Sequence, residues 1–195
     1  MIKVAFIGRQ RSGKTTGAEA LKLHVLSSGG FDWEKTHVYM TSFGKAMKEQ
    51  FERFTGEKFD KKEHRKMIQL FGQLHRRYQD NIWISYVQAE LLNAERKDYS
   101  HFIVDDVRQA NEVKWCKDNG FILIYIDVPL ITLHRRCIDL GEDFTPSHPT
   151  EMVEQFYMES DLRITNDGDK KEFEQALVDT AISVIESRGE LDEQI

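Results

Sequence analysis

Cysteine is scarce. Only Cys116 and Cys137 occur, too few for a disulfide framework and without zinc-ligand spacing. Proline is nearly as rare, 3 in 195 residues, which excludes a polyproline spacer. The longest unbroken apolar run, Phe121 to Ile126, falls far short of the roughly 20 residues that span a bilayer as a helix. A surplus of positive charge is missing too. Lys+Arg 27 against Asp+Glu 33 gives a formal charge of −6, whereas a general nucleic-acid binder carries a basic surface. The amino-terminal stretch has one lysine, a short apolar run and then arginines, unlike a secretory signal. With 40% hydrophobic and 31% charged residues, the composition fits one globular domain over residues 1–195. A cytoplasmic location is expected, with no membrane partner and none in nucleic acid.

Short apolar runs alternate with longer amphipathic stretches. Strands are expected at Ile2 to Ile7, His37 to Ser42, Phe102 to Val104 (ending in Asp105-Asp106), Phe121 to Val128 and Leu162 to Thr165. Helices are expected from Gly13 to Ser28, from Phe43 to a stop at Gly56, and from Lys61 to Gln79, the last with Met67, Leu70, Phe71, Leu74 and Tyr78 as its apolar stripe. Ile84, Val87, Leu91 and Ala94 mark another. One over Gln109 to Asn119 closes at Gly120, and Phe173, Leu177, Thr180 and Val184 mark the last. Such alternation implies right-handed βαβ units, hence an α/β fold with a parallel sheet covered on both faces.

The strongest chemical signal is Gly8-Arg9-Gln10-Arg11-Ser12-Gly13-Lys14-Thr15, a complete G-x-x-x-x-G-K-T sequence between an expected strand and an expected helix. The glycines allow a tight turn whose N–H groups face phosphate oxygens, and the following helix adds its positive end. Gly8, Arg11, Ser12, Gly13, Lys14, Thr15 and Thr16 are therefore the candidate nucleotide-binding residues. Lys14 would reach the β- and γ-phosphates of ATP, and the Thr15 hydroxyl would ligate Mg2+. The Asn-Lys-x-Asp sequence by which GTPases read guanine is missing. A small phosphate-loop chain with scattered arginines suggests a kinase of a small acceptor.

Further motifs resemble one family, the deoxynucleoside monophosphate kinases of bacteriophages. Ser42-Phe43-Gly44-Lys45-Ala46-Met47-Lys48 is similar to its Phe-Ala-x-x-Leu-Lys segment. Arg65, Gln69, Gly72, Arg77 and Trp83 resemble its Arg-x-x-x-Gln-x-x-Gly helix with the Arg and Trp that follow. Asp106-Val107-Arg108-Gln109-Ala110-Asn111-Glu112 is similar to its Asp-Val-Arg-x-x-Asn-Glu sequence. His148-Pro149-Thr150-Glu151 and the stretch from Asp161 to Gly168 resemble its His-x-Ser-Glu and Asn-Asp-Gly segments. Gly44 departs from the usual Ala, Thr150 from Ser, and Gln73-Leu74-His75-Arg76 is bulky after Gly72. The resemblance implies a three-layer P-loop kinase fold of five parallel strands. A helical monophosphate-binding insertion at about 44–97 and a lid at about 130–150 would complete it. It also implies a deoxynucleoside monophosphate substrate and is compatible with a homodimer.

A phosphate monoester is largely dianionic at neutral pH, so it needs positioning and positive charge rather than a general base. The segment from Tyr39 to Lys48 offers no carboxylate, which favours a phosphate acceptor. Arg65 and Gln69 lie one helical turn apart, with Gln73 and Arg76 continuing the stripe; helical phase favours Arg76 and the family motif favours Arg77, so both are candidates. Asp105 and Asp106 end a buried strand near the phosphate loop, where sheets of this type bind ligands. One of them, Asp105 in the first instance, would join Thr15 at magnesium, and both could contact substrate. Arg108 would grip the substrate, and Arg135 and Arg136 would close over the phosphates as lid arginines. Phe43 or Phe71 could sandwich the base, while Trp83 belongs to the core. A hydroxyl kinase of the same fold and a non-catalytic nucleotide-binding regulator are the rival readings. Replacing Lys14 with Ala is expected to abolish turnover; a wild-type rate in that variant would refute the reading of the loop.

Overall fold

The computed structural model describes residues 1–28, 37–142 and 152–192, side chains of 61, 62 and 188–192 excepted. Along the chain it runs β1 (Ile2–Ile7), α1 (Lys14–Ser28), β2 (Val38–Thr41), α2 (Phe43–Thr55), α3 (Lys61–Tyr78), α4 (Ile82–Arg96), β3 (His101–Val107), α5 (Ala110–Asp118), β4 (Ile122–Asp127), α6 (Leu130–Asp139), a 3-10 helix (Glu154–Glu159), β5 (Leu162–Thr165) and α7 (Lys170–Asp192). The five strands form one sheet in the order β2-β3-β1-β4-β5, every neighbouring pair parallel. After β1 the chain builds first to one side and then to the other. The reversal leaves a crevice at the carboxyl end of β1, the place where such sheets accept ligands.

The period of two along a strand sorts the core into two layers. Val4, Phe6, Ile103, Ile122, Ile124, Ile126 and Ile164 face α1 and α7, where they meet Ala18, Leu21, Phe173, Leu177 and Ala181. Ala5, Ile7, Phe102, Val104, Leu123 and Tyr125 face the other way, against Phe43 of α2, Val87 and Leu91 of α4 and Val113 of α5. The two cysteines are free and buried. Trp83 lies in the second layer, as expected, with its indole N–H directed at the Gly72 carbonyl at 3.4 Å. No described helix is long and apolar enough to cross a membrane.

Two local expectations need correction, and one strand runs slightly further than expected. β3 includes its two aspartates, as expected, and extends one residue beyond them to Val107, with an irregularity against β1, where Ala5 pairs with Val104 but Ile7 with Val107. One extra residue on β3 keeps both carboxylates inside the strand, as a bulge does. Next, the stripe assigned to the buried face of α3 is mostly outward: Leu70 is 72% and Tyr78 98% exposed. α3 instead buries His64, Ile68 and Gly72, because Gly72 lets it close on Met47 of α2, whose sulfur a side chain there would overlap. Finally, α7 turns Val178 and Ala181 inward rather than Thr180. Residues 143–150 of the expected lid, His148 among them, and Glu151 lie outside the described residues.

Leu177 is fully buried and closes on α1 at Gly17, whose missing side chain makes the room. Leu177→Ala should therefore cost about 2–5 kcal/mol, transfer plus cavity. Urea unfolding checks it, and a loss below about 1 kcal/mol would contradict this packing.

Candidate functional site

The phosphate loop lies where β1 runs into α1. Its backbone takes two left-handed turns, at Arg11 (φ 61°) and Gly13 (φ 100°). A non-glycine residue rarely pays for such a conformation without a compensating role. Lys14 is buried, and its ammonium reaches back across the loop to the carbonyl oxygens of Gly8 at 2.7 Å and Arg9 at 2.6 Å. The Ser12 hydroxyl is buried with no hydrogen-bond partner among the described residues. Asn166, after β5, donates to the Ser12 carbonyl at 2.8 Å. Arg136 of α6 donates to the Arg11 carbonyl at 3.1 Å and the Asn166 carbonyl at 2.9 Å.

The loop opens into a cavity of about 750 Å³. Arg11, Gly13, Lys14, Thr15 and Thr16 line it on the loop side, and Asp105, Arg108 and Arg136 are also on its wall. Gly8 and Ser12 are not on its wall. A second cavity of about 220 Å³ adjoins, walled by Phe43, Met47, Phe59, Gln69, Gln73 and Arg76 among others. Arg65, Asp106, Arg108 and Lys48 belong to both walls.

The two aspartates have different jobs because adjacent strand residues face opposite sides of a sheet. Asp105 turns toward α1 and accepts the Thr15 hydroxyl at 2.6 Å. Asp106 turns toward α2 and accepts the N–H groups of Phe43 at 2.7 Å and Gly44 at 2.8 Å. A carboxylate at that helix end meets both unpaired amides and the positive end of the helix. Ser42 caps the same end by accepting from Lys45 N at 3.0 Å. Desolvation, then the charge of Asp106, push the Asp105 carboxyl above the usual carboxylate range.

A third carboxylate, Glu112, is buried and takes the backbone N–H of Arg108 at 2.9 Å and of Gln109 at 3.0 Å, with the Arg76 guanidinium 3.2 Å away. Burial raises its pKa, and Arg76 opposes the rise. Glu112 thereby fixes the start of α5 and the direction of Arg76. Glu142 performs a similar task nearer the loop, accepting from Gln10 at 2.8 Å and Arg11 Nε at 2.9 Å, with Arg65 Nη1 at 3.9 Å. Arg65 in turn donates to Gln10.

The expected site residues thus divide. Arg65, Gln69 and Arg76 come together with Arg108, whereas Arg77 is exposed and belongs to neither wall. One residue is about 100° of helix, so Arg76 lies on the cavity wall and its neighbour does not. For the same reason Arg135 points to solvent, one step round α6 from Arg136. Arg136 itself braces the loop rather than standing away from it. Phe43 reaches the second cavity; Phe71 lies on the opposite side of α3, beside Phe54 and Leu74. Sequence reasoning passed over Lys48, Gln10 and Glu142 as site residues. Lys48 sat within a quoted motif, but Glu142 carried no signal, since its importance arises only from where α6 ends.

A family model described as deoxynucleotide monophosphate kinase matches residues 32–177. The chain belongs to the deoxynucleotide monophosphate kinase family. A search of curated protein sequences finds no match. Among solved structures, this kinase resembles shikimate kinase from Aquifex aeolicus vf5 (15% identity, 96% of this chain and 98% of that one, TM-score 0.53). It also resembles the Mycobacterium tuberculosis APS kinase in complex with AMPPNP and APS (19% identity, 91% and 95%, TM-score 0.55). A third is dephospho-CoA kinase from Campylobacter jejuni (13% identity, 96% and 100%, TM-score 0.52). At these identities the likeness establishes the P-loop kinase fold.

Asp105 gives a test with a sign. Its folded-state pKa is raised, so the ionised carboxylate costs stability above that value and nothing below the unfolded one. Asp105→Asn should raise the melting temperature of the ligand-free kinase by about 2–4 °C near neutral pH, with the gain vanishing as the buffer is acidified below about pH 4. A variant that melts at or below wild type near neutral pH would contradict the assigned burial cost.

Proposed function

We propose that this kinase transfers the γ-phosphoryl group of ATP to the 5′-phosphate of a deoxynucleoside monophosphate, releasing ADP and the diphosphate. The observation that carries the reading is the pair of joined cavities, one walled by the phosphate loop and the other by helices, with cations at their junction. ATP would lie in the larger, its phosphates on the loop amides, Arg11 and Lys14. The monophosphate would lie in the smaller, its phosphate toward Arg65 and Arg108 and its base toward Phe43, Gln69, Gln73 and Arg76. The residues between β2 and β3 form the monophosphate-binding insertion in this proposal, and α6 with the segment after it the lid. The AMPPNP named with the APS kinase neighbour supports an adenine nucleotide as donor.

The donor set also fits magnesium. Thr15 and Asp105 offer a hydroxyl and a carboxylate 2.6 Å apart, and Asp105 is held in surroundings that disfavour its own charge. Among the described residues no group of three or more His, Cys, Asp or Glu could hold a metal. The ion would therefore rest on these two side chains together with the nucleotide phosphates, as is usual for Mg2+. Bound there, it would neutralise phosphate charge. The protein's own part is positional: the loop holds the donor, α2 and α3 hold the acceptor, and no side chain has to remove a proton from a dianionic phosphate. Asp106 is tied to α2 and contributes by placing that helix, so contact of Asp106 with substrate is secondary in this reading.

The reaction belongs to the cytoplasm, that of the host for a phage-encoded chain. A homodimer remains part of the proposal, and sedimentation velocity distinguishes it from a monomer. Purified protein with ATP and Mg2+ is expected to release ADP in the presence of at least one of dTMP, dGMP, dCMP, dUMP and 5-hydroxymethyl-dUMP. Activity only with hydroxyl acceptors, or tight ATP binding with no transfer to any acceptor, would overturn the proposal.

A further inference from the structure

Four side chains are shared by the two cavities: Lys48, Arg65, Asp106 and Arg108. Three are cations, and they are not equivalent. Arg65 donates to Gln10 and lies near Glu142, and Arg108 follows a backbone pinned by Glu112. Lys48 forms no hydrogen bond or ion pair among the described residues. Its ammonium stands over the Phe59 ring, 5.6 Å from the centroid, and is exposed to the space where the cavities meet. It is close enough to Asp105 to oppose the rise in that residue's pKa.

The position of Lys48 follows from the sheet. Asp106 clamps the first two amides of α2, and Gly44 permits the clamp, since a side chain there would begin 2.9 Å from Asp106 Oδ2. Lys48 is four residues beyond Gly44, hence on the same face of the helix one turn further. The carboxyl end of β3 thereby aims two groups at the site: Asp105 directly, and Lys48 through α2. The Phe59 ring faces the ammonium and supplies no competing anion.

We propose that Lys48 bridges donor and acceptor during transfer, its ammonium contacting both the γ-phosphoryl oxygens of ATP and the 5′-phosphate of the monophosphate. This rests on the kinase reading above. An acceptor phosphate oxygen forms the new bond to the γ-phosphorus as the bond from that phosphorus to the β,γ-bridging oxygen breaks. The electron pair of the broken bond leaves on the β-phosphate of ADP. No proton transfer is required, and Lys48 stays charged throughout. A single ammonium suits this task better than a planar guanidinium fork, because it can follow a phosphoryl group moving between two sets of oxygens.

The test uses a bisubstrate probe, adenosine joined 5′ to 5′ through five phosphates to the deoxynucleoside of the accepted monophosphate. Wild-type kinase should bind it more tightly than ATP or the monophosphate alone; a wild type that binds it no better than ATP refutes the kinase reading itself. Lys48→Met keeps most of the length of the stem and removes the charge. It should weaken the probe on the order of 10- to 100-fold and lower kcat at least as much. The dissociation constants of ATP alone and of the monophosphate alone should each move by no more than about threefold. Lys48→Arg should recover part of the loss, which a purely structural role would not predict. Lys48→Gln is read in the same way should the Met variant unfold. Unchanged probe affinity, or an equal loss for either substrate alone with kcat intact, overturns the bridging role.

Discussion

Adjacent carboxylates at the carboxyl end of β3 face opposite sides of the sheet, and the site is assembled around that divergence. Asp105 meets Thr15 at the start of α1, and Asp106 grips the start of α2. Each aspartate ties a different helical layer to the same strand end. Two helix beginnings, one following the phosphate loop and one preceding Lys48, are therefore registered against each other through one peptide bond. The bulge opposite Ala5 and Ile7 accommodates this within the ladder, so the pairing of β3 with β1 continues on either side of the irregularity.

The cost of the arrangement is electrostatic. Buried carboxylates disfavour their own charge, and Asp105 and Glu112 both show it. Their compensation differs. Glu112 is satisfied within the fold by backbone amides and Arg76, which makes it a positioning group. Asp105 has a hydroxyl and a share of the Lys14 and Lys48 charges, a balance that a bound cation would improve. Glu142 shows the reverse situation, a carboxylate that gathers Gln10 and Arg11 with Arg65 nearby, close to the loop. Functional sites often carry such local strain, and the rest of the core sustains it.

Neighbouring structures with the same fold are named for different acceptors: shikimate, APS and dephospho-CoA kinases. The donor side of such a fold can stay constant while the acceptor side varies, because function resides in sites built on a fold. In the function proposed above, the acceptor side of this kinase is the work of α2 and α3. Their close approach at Gly72 and Met47 turns the polar face of α3 inward along the second cavity and leaves Leu70, Leu74 and Tyr78 on the outside.

The strands, the phosphate loop and the helical stretches were legible in the sequence because each depends on neighbours a few residues apart. Alternation marks a strand, and G-x-x-x-x-G-K-T marks a turn whose function is local. Family motifs extended that reach to Arg65, Gln69 and Arg108. Other features depend on which elements meet. Apolar spacing on α3 identified a helix but not the side that α2 would cover, and a glycine, not the apolar stripe, set that contact. Arg76 and Arg77 could not be separated until the rotation of α3 was known, and the separate roles of Asp105 and Asp106 depended on which helix, α1 or α2, begins on each side of β3. Likewise the formal charge, read along the chain, argued against a general nucleic-acid binder but said nothing of where the cations lie. Only the tertiary structure gathered Lys48, Arg65 and Arg108 at the junction of two cavities, with Lys14 on the wall of the larger, since residues distant in sequence become neighbours solely through packing.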